Sequence, residues 1–93
     1  MTGDEPLELK IDGVLDLHTF RPQEVKDLVP EYLRACQKKS ILQVRIIHGK
    51  GTGTLRSIVH SLLKKDDRVL SFKNADPWGG GWGATEVELY PAP

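Results

Sequence analysis

The sequence has almost nothing with which to cross-link itself. Its one cysteine, Cys36, has no partner for an internal disulfide, so the disulfide-stapled secreted scaffolds are excluded and Cys36 is read as a small core residue on a helix face. No apolar run approaches the ~20 residues needed to cross a bilayer as a helix. The first residues carry neither the basic start nor the apolar stretch of a secretion signal. Repeats and low-complexity tracts are also missing. These absences lead to the expectation of a cytoplasmic protein that does not engage a membrane.

A surplus of charge is lacking as well. Thirteen basic and thirteen acidic side chains cancel over the 93 residues, yet they are unevenly placed. Residues 1–33 hold three basic and eight acidic side chains, residues 34–73 ten basic and two acidic, and residues 74–93 three acidic and none basic. A basic middle between acidic flanks can present a positive face without a high pI; it can equally be the solvated surface of two helices. A chain this short buries only about 60–65% of its unfolded surface. One domain over 1–93 is therefore expected, with a core at about 12–90 and a polar tail at 1–11.

Periodicity orders the elements. Val14 to His18 alternates apolar and polar and reads as a strand, which turns Leu15 and Leu17 inward and leaves Asp16 and His18 together on the other face. Pro22 suits the first position of a helix. Behind it, Val25, Leu28, Val29, Tyr32, Leu33 and Cys36 form one apolar stripe. Pro30 opposes this helix, because an interior proline removes a backbone hydrogen bond at about 3 kcal/mol, and a kink or two shorter helices are expected there; the stripe continues in register across it, so the helix is kept. Leu42 to Ile47 reads as a second strand and Gly53 or Thr54 to Lys64 as a second helix on the stripe Leu55, Ile58, Val59, Leu62 and Leu63. Val69 to Phe72 and Thr85 to Leu89 follow as strands. The order is βαβαββ, an α/β (α+β) arrangement in which strand–helix–strand units imply parallel pairing.

Two of these strands end in histidine, His18 and His48, and each runs into a turn that opens a helix. If the strands are parallel neighbours, Asp16, His18, His48 and Lys50 meet at the carboxyl edge of the sheet, where open α/β sheets place their sites. Such a set offers a general base, two imidazoles that titrate near neutral pH and a cation for developing charge. The turn Gly49-Lys50-Gly51-Thr52-Gly53-Thr54 brings backbone N–H groups close to a ligand at a helix start, an arrangement that favours phosphate, and Lys50 and Arg56 add charge-assisted bonds. A tight connection that binds nothing needs the same glycines.

Nearby patterns fail. A Walker A loop places its lysine after the last glycine, whereas Lys50 follows the first; a dinucleotide fingerprint needs glycine where Thr54 stands. No nucleotide cofactor is expected. Asp16, His18 and His48 are the only metal-ligand candidates, without the spacing of a zinc site, so no metal or other cofactor is expected. His60, beside the second apolar stripe, reads as a surface or boundary residue. Trp78 can stack on a base or close the core, and the same choice holds for Trp82.

Three segments together, Leu15-Asp16-Leu17-His18, Ile46-Ile47-His48-Gly49-Lys50-Gly51-Thr52-Gly53 with Leu55-Arg56, and Gly80-Gly81-Trp82-Gly83-Ala84-Thr85, resemble the motifs of the Smr (small MutS-related) domain family over about residues 12 to 90. The resemblance implies a βαβαββ two-layer sandwich with a small mixed four-stranded sheet and two helices, similar to the C-terminal domain of bacterial translation initiation factor three. It also implies nucleic-acid binding, with relatives that nick DNA or cleave RNA, some on stalled ribosomes. It carries the active edge over to Asp16, His18, His48, Gly49, Lys50, Gly51 and Gly53. Thr19 departs from the family's usual glycine, which either narrows the approach to the backbone or adds a hydroxyl contact. The expected activity is therefore that of an endonuclease on DNA or RNA, acting as a monomer. A non-catalytic nucleic-acid or ribosome-binding module and a protein-interaction domain are its rivals.

Overall fold

The computed structural model describes residues 10–49, 53–75 and 83–93. Six elements follow in order: β1 (Val14–Asp16), α1 (Pro22–Lys38), β2 (Gln43–Ile47), α2 (Thr54–Lys65), β3 (Val69–Asn74) and β4 (Ala84–Leu89). The four strands form one sheet in the order β1-β2-β4-β3. β1 and β2 are parallel, with Asp16 beside Ile47, while β4 runs antiparallel to β2 on one side and to β3 on the other. Parallel pairing was expected of both strand–helix–strand units and holds for the first alone. In the second, β4 is inserted between β2 and β3, so those strands share a direction but not a hydrogen-bond ladder.

Alternation along the strands sets the two faces. Leu15 and Leu17 of the β1 segment, Val44 and Ile46 of β2, and Val87 and Leu89 of β4 point inward and pack with Val25, Val29, Leu33 and Cys36 of α1 and Val59 and Leu63 of α2. Both helices therefore cover one side of the sheet, a two-layer sandwich. The other side stays open, crossed by an ion pair between Arg45 Nε and Glu86 Oε2 at 2.7 Å. Cys36 is a free thiol with no exposed surface.

Local chemistry fixes the first helix at both ends. Pro22 occupies its first turn, and the Arg21 N–H, which has no helical partner, donates to Glu24 Oε1 at 2.7 Å. Past the C-terminus Ser40 takes the left-handed conformation (φ 62°), which turns the chain back toward β2. Tyr32 then ties the helix to the start of β1: its hydroxyl accepts the Gly13 N–H at 3.1 Å and lies 3.0 Å from the Val14 carbonyl. Gly13 is needed there, since its φ is +95° and a Cβ would come within 3.1 Å of the Gln43 carbonyl.

Pro30 lies inside α1, which continues through it as one helix rather than two. Magnitudes explain why. The missing bond weighs about 3 kcal/mol, whereas burying one valine or leucine is worth ~1.5–3 kcal/mol, and Val25, Val29, Tyr32, Leu33 and Cys36 are all buried on this helix. The stripe outweighs the break.

Replacing Pro30 with alanine is accordingly expected to stabilise the domain by about 1–3 kcal/mol, since it restores the bond to the Lys26 carbonyl. Urea unfolding should show a higher midpoint with an unchanged slope. A lower midpoint would mean that packing of the proline ring is worth more than the hydrogen bond.

Candidate functional site

Because β1 and β2 are parallel and in register, their carboxyl ends lie side by side. The Leu17 N–H donates to the Ile47 carbonyl at 2.8 Å, carrying the pairing one step past β1. The third motif closes on the same edge: the N–H groups of His48 and Gly49 both donate to the Gly83 carbonyl at 2.9 Å. Residues 16–18 and 48–49 therefore lie side by side at one sheet edge. Their side chains, however, sort to two sides.

Asp16 points to the open side of the sheet. Its Oδ1 accepts the His18 backbone N–H at 3.0 Å and lies 2.7 Å from His18 Nδ1. These two bonds, the backbone one first, hold the Asp16 carboxyl below its ordinary range. An ionised carboxylate can only accept, so Nδ1 of His18 carries a proton and the opposite nitrogen, Nε2, is left for other partners. Both side chains are open to solvent, 69% for His18 and 47% for Asp16. This is the arrangement in which a carboxylate fixes the tautomer of an imidazole that acts as a base.

His48 points to the helix side and is 95% covered, with 5% of its surface exposed. The expectation that it stands beside Asp16 and His18 as a second open imidazole is corrected here: alternation sends residues 44, 46 and 48 inward, so His48 lies behind the sheet. Its Nδ1 is 3.1 Å from the Gly49 carbonyl and its Nε2 is 2.8 Å from Thr85 Oγ1. The same hydroxyl lies 2.9 Å from Nε2 of His60 on α2. Burial, and to a lesser extent the Arg56 charge, keep both imidazoles below the ordinary histidine range. The proton positions follow. The Gly49 carbonyl accepts from Nδ1 of neutral His48, whose Nε2 must therefore accept from the Thr85 hydroxyl, which in turn accepts from Nε2–H of His60. The two rings stand edge to face with centroids 6.3 Å apart, and His60 also packs on Phe72 at 5.0 Å.

Sequence reading assigned no role to Thr85 and placed His60 at the surface or boundary. His60 is indeed half-buried, but its bond to Thr85 was not foreseen. A signal existed for the threonine. It extends the inward-facing series of Val87 and Leu89, so a hydroxyl was bound to point into the core and require partners.

Among the glycines of the turn, Gly49 (φ 78°) and Gly53 (φ 86°) adopt the left-handed conformation that glycine tolerates, and a Cβ at either would meet no described residue within 4 Å. Their need is for backbone freedom. Gly53 is the N-cap of α2, with Thr54 and Arg56 in its first turn; Arg56 Nε reaches Asn74 Oδ1 at 3.4 Å. Thr19 is not among the described residues with positive φ, of which Ser40 is the only non-glycine, so threonine is accommodated there without strain. Lys50, Gly51, Thr52, Trp78 and Trp82 lie outside the described residues. Among the described residues, no group of three or more His, Cys, Asp or Glu side chains is placed to hold a metal ion, so Asp16, His18 and His48 do not form the ligand set considered above. No helix there is long and apolar enough to cross a membrane.

A two-layer sandwich with a split second βαβ unit, an Asp–His pair at one strand end and a glycine turn at the next define the class. The Smr domain family matches residues 15–90, and the chain belongs to it. It is 44% identical over 87 residues to endonuclease MutS2 of Gemmatimonas aurantiaca, covering 94% of this chain and 10% of that protein. It is 43% identical over 75 residues to endonuclease MutS2 of Staphylococcus saprophyticus, covering 81% and 10%. The chain therefore spans about a tenth of the length of these relatives. The crystal structure of the Smr domain of Thermus thermophilus MutS2 superposes with a TM-score of 0.81 at 37% identity, over 84% of this chain and 98% of that one. YdaL, a stand-alone small MutS-related protein from Escherichia coli, gives 0.78 at 30% identity, over 83% and 63%.

Two outcomes test the histidine–threonine chain. Thr85→Val keeps the shape but strands two imidazole nitrogens, and should lower unfolding stability by about 1–3 kcal/mol. Stability should also fall as pH drops below about 6.5, because the unfolded chain takes up protons that buried neutral His48 and His60 refuse. Above that pH both states are unprotonated and the effect vanishes. Urea titrations at a series of pH values measure it; stability flat or rising from pH 7 to 5.5 would refute neutral histidines in the fold.

Proposed function

We propose that this domain binds a nucleic-acid strand at the edge formed by residues 16–18 and 48–53 and cleaves its phosphodiester backbone. The observation that carries the reading is the exposed Asp16–His18 pair, 2.7 Å apart, at the strand end beside the one that leads into the glycine turn. The kinship with endonuclease MutS2 of two bacteria supports it. A phosphate would rest against backbone N–H groups of the turn and the α2 N-terminus, with Lys50 and Arg56 supplying charge.

In the proposed step, His18 Nε2 takes the proton of an attacking hydroxyl while its oxygen forms the new P–O bond. The old P–O bond breaks, its electron pair goes to the leaving oxygen, and that oxygen is protonated from water. Asp16 holds the His18 ring and stabilises the imidazolium that forms. Lys50, carried by the same turn in the sequence, offsets charge on the non-bridging oxygens. With RNA the attacker is the 2′-hydroxyl; with DNA it is water, and a divalent metal would assist. Buried His48 takes no part in proton transfer in this scheme. Cytoplasmic location, monomeric state and ribosome association belong to the same proposal.

One observation favours a second reading, a binding module without catalysis. Of the two imidazoles expected at the edge, only His18 is exposed, so an acid–base pair of histidines is not available.

A cleavage panel on single- and double-stranded DNA and RNA, with and without chelator, separates the two. Asp16→Ala and His18→Ala should each lower cleavage by ~10²–10⁴-fold while strand binding stays within about twofold. Intact protein that shifts a labelled strand but cuts none of the four substrates would leave only the binding module. Gly53→Ala, forced toward a left-handed conformation that costs a side chain about 1–2 kcal/mol, should weaken binding without altering the Asp16–His18 pair.

A further inference from the structure

The carboxyl end of β2 is tied to β4 by backbone and by side chain. The N–H groups of His48 and Gly49 donate to the Gly83 carbonyl. The His48 ring reaches Thr85 Oγ1 at 2.8 Å, and the same hydroxyl lies 2.9 Å from Nε2 of His60. One step back along the chain, the Ile47 carbonyl accepts the Leu17 N–H at 2.8 Å. Leu17 stands between Asp16 and His18, so an unbroken path runs from His60 through Thr85, His48, Ile47 and Leu17 to the exposed pair.

This path has a limited capacity for protons. A hydroxyl carries one hydrogen, and a neutral imidazole carries one on either nitrogen. With both rings neutral, His60 Nε2–H donates to Thr85, and Thr85 donates to His48. One added proton leaves the chain whole. It sits on His60 Nδ1, or on His48 Nε2 with the Thr85 hydroxyl turned toward His60. A second proton breaks it: both Nε2–H groups then point at one oxygen, and the Thr85 hydrogen loses both imidazole acceptors. Thr85 is fully buried, so that hydrogen cannot turn to solvent. Two cationic rings would also stand with centroids 6.3 Å apart. The other charged groups that face the rings are Arg56 and Lys64 of α2, while β3 presents the apolar ring of Phe72.

We propose that His60 and Thr85 are positioning residues for the Asp16–His18 pair, which hold it while at least one imidazole of the chain is neutral and release it when both are charged. The proposal rests on the reading of that pair as the reactive one and adds its regulation by pH. Neither residue touches substrate; both act through His48. When the chain opens, His48 is no longer held behind the sheet, and the Ile47–Leu17 bond loses its backing. The site is therefore assembled near neutral pH and let go in acid.

The test is amide hydrogen exchange by NMR from about pH 7.5 to about pH 5, across the range in which free histidine titrates, read at Leu17 and His48. Leu33, in the buried stripe of α1, is the comparison. The variant is His60→Gln, whose side-chain amide donates to Thr85 or, turned over, accepts from it, and takes up no proton. Protection at Leu17 and His48 should fall toward acid more steeply in the intact chain than in His60→Gln, by about one proton or about tenfold per pH unit. Thr85→Ser, which keeps the hydroxyl, should follow the intact chain. In acid, Leu17 and His48 should exchange faster than Leu33, by a route that low urea does not accelerate, the mark of a local opening. Cleavage should decline toward acid with the same extra proton. Equal slopes for the two proteins, in exchange at Leu17 or in cleavage, overturn the proposal. So does exchange at Leu17 that matches Leu33 in rate and urea response, because the chain would then support the whole domain and not the edge. If the exchange difference is present and no strand is cut at any pH, the pair is held as proposed and the cleavage reading falls.

Discussion

The parallel pairing of β1 with β2 is the constraint on which the rest depends. It sets two strand ends next to each other at one edge, so that two turns leave the sheet together. It also sets which way each side chain faces, because a residue and its ladder partner share a side. Asp16 shares its side with Ile47, and Leu17 shares its side with His48. An acid and an imidazole two residues apart therefore stay in water, while the neighbouring strand delivers its imidazole to the interior. The edge is a place with two chemistries, one exposed to solvent and one buried.

The buried chemistry is held by a single hydroxyl. Thr85 comes from β4, the strand inserted between β2 and β3, and it meets one histidine from the end of β2 and another from α2. The sheet edge, the central strand and the second helix are thus bonded at one point. This explains how α2, which packs its apolar side on the core, presents a fixed polar side. A helix free to rotate by a few tens of degrees would carry Arg56 and Lys64 with it; the bond from His60 opposes that rotation. The position of α2 and that of the carboxyl end of β2 are consequently coupled through Thr85.

Much of the fold was legible in the order of residues. The stripes of α1 and α2, the alternation of Leu15 and Leu17 and the turn glycines all depend on local periodicity, which a single sequence displays directly. The pairing of β4 was not legible, since which strand occupies the middle of a sheet is decided by long-range packing. The continuity of α1 through Pro30 was legible in the apolar stripe, which stays in register across the proline, and five buried residues outweigh the local break. At the site, the Asp16–His18 pair followed from spacing alone. The placement of His48 was missed because attention to the turn overlooked the parity of Val44 and Ile46, which already sent position 48 inward. Thr85 was quoted as part of a motif, yet its chemistry becomes visible only once two histidines from distant parts of the chain are seen around it.

The insertion of β4 also bears on how such a chain acquires its structure. Among the described elements the last to be synthesised is an inner strand, and β2 and β3 each wait for it with unpaired backbone groups on one side. A growing chain that has completed α2 and β3 can collapse but cannot yet close a ladder across the middle of the sheet. Folding is then an event of the finished segment, with contacts of large sequence separation that slow it relative to a helical bundle of the same size. A shortened product that stops before residue 84 would leave two open strand edges, a template for association with other chains.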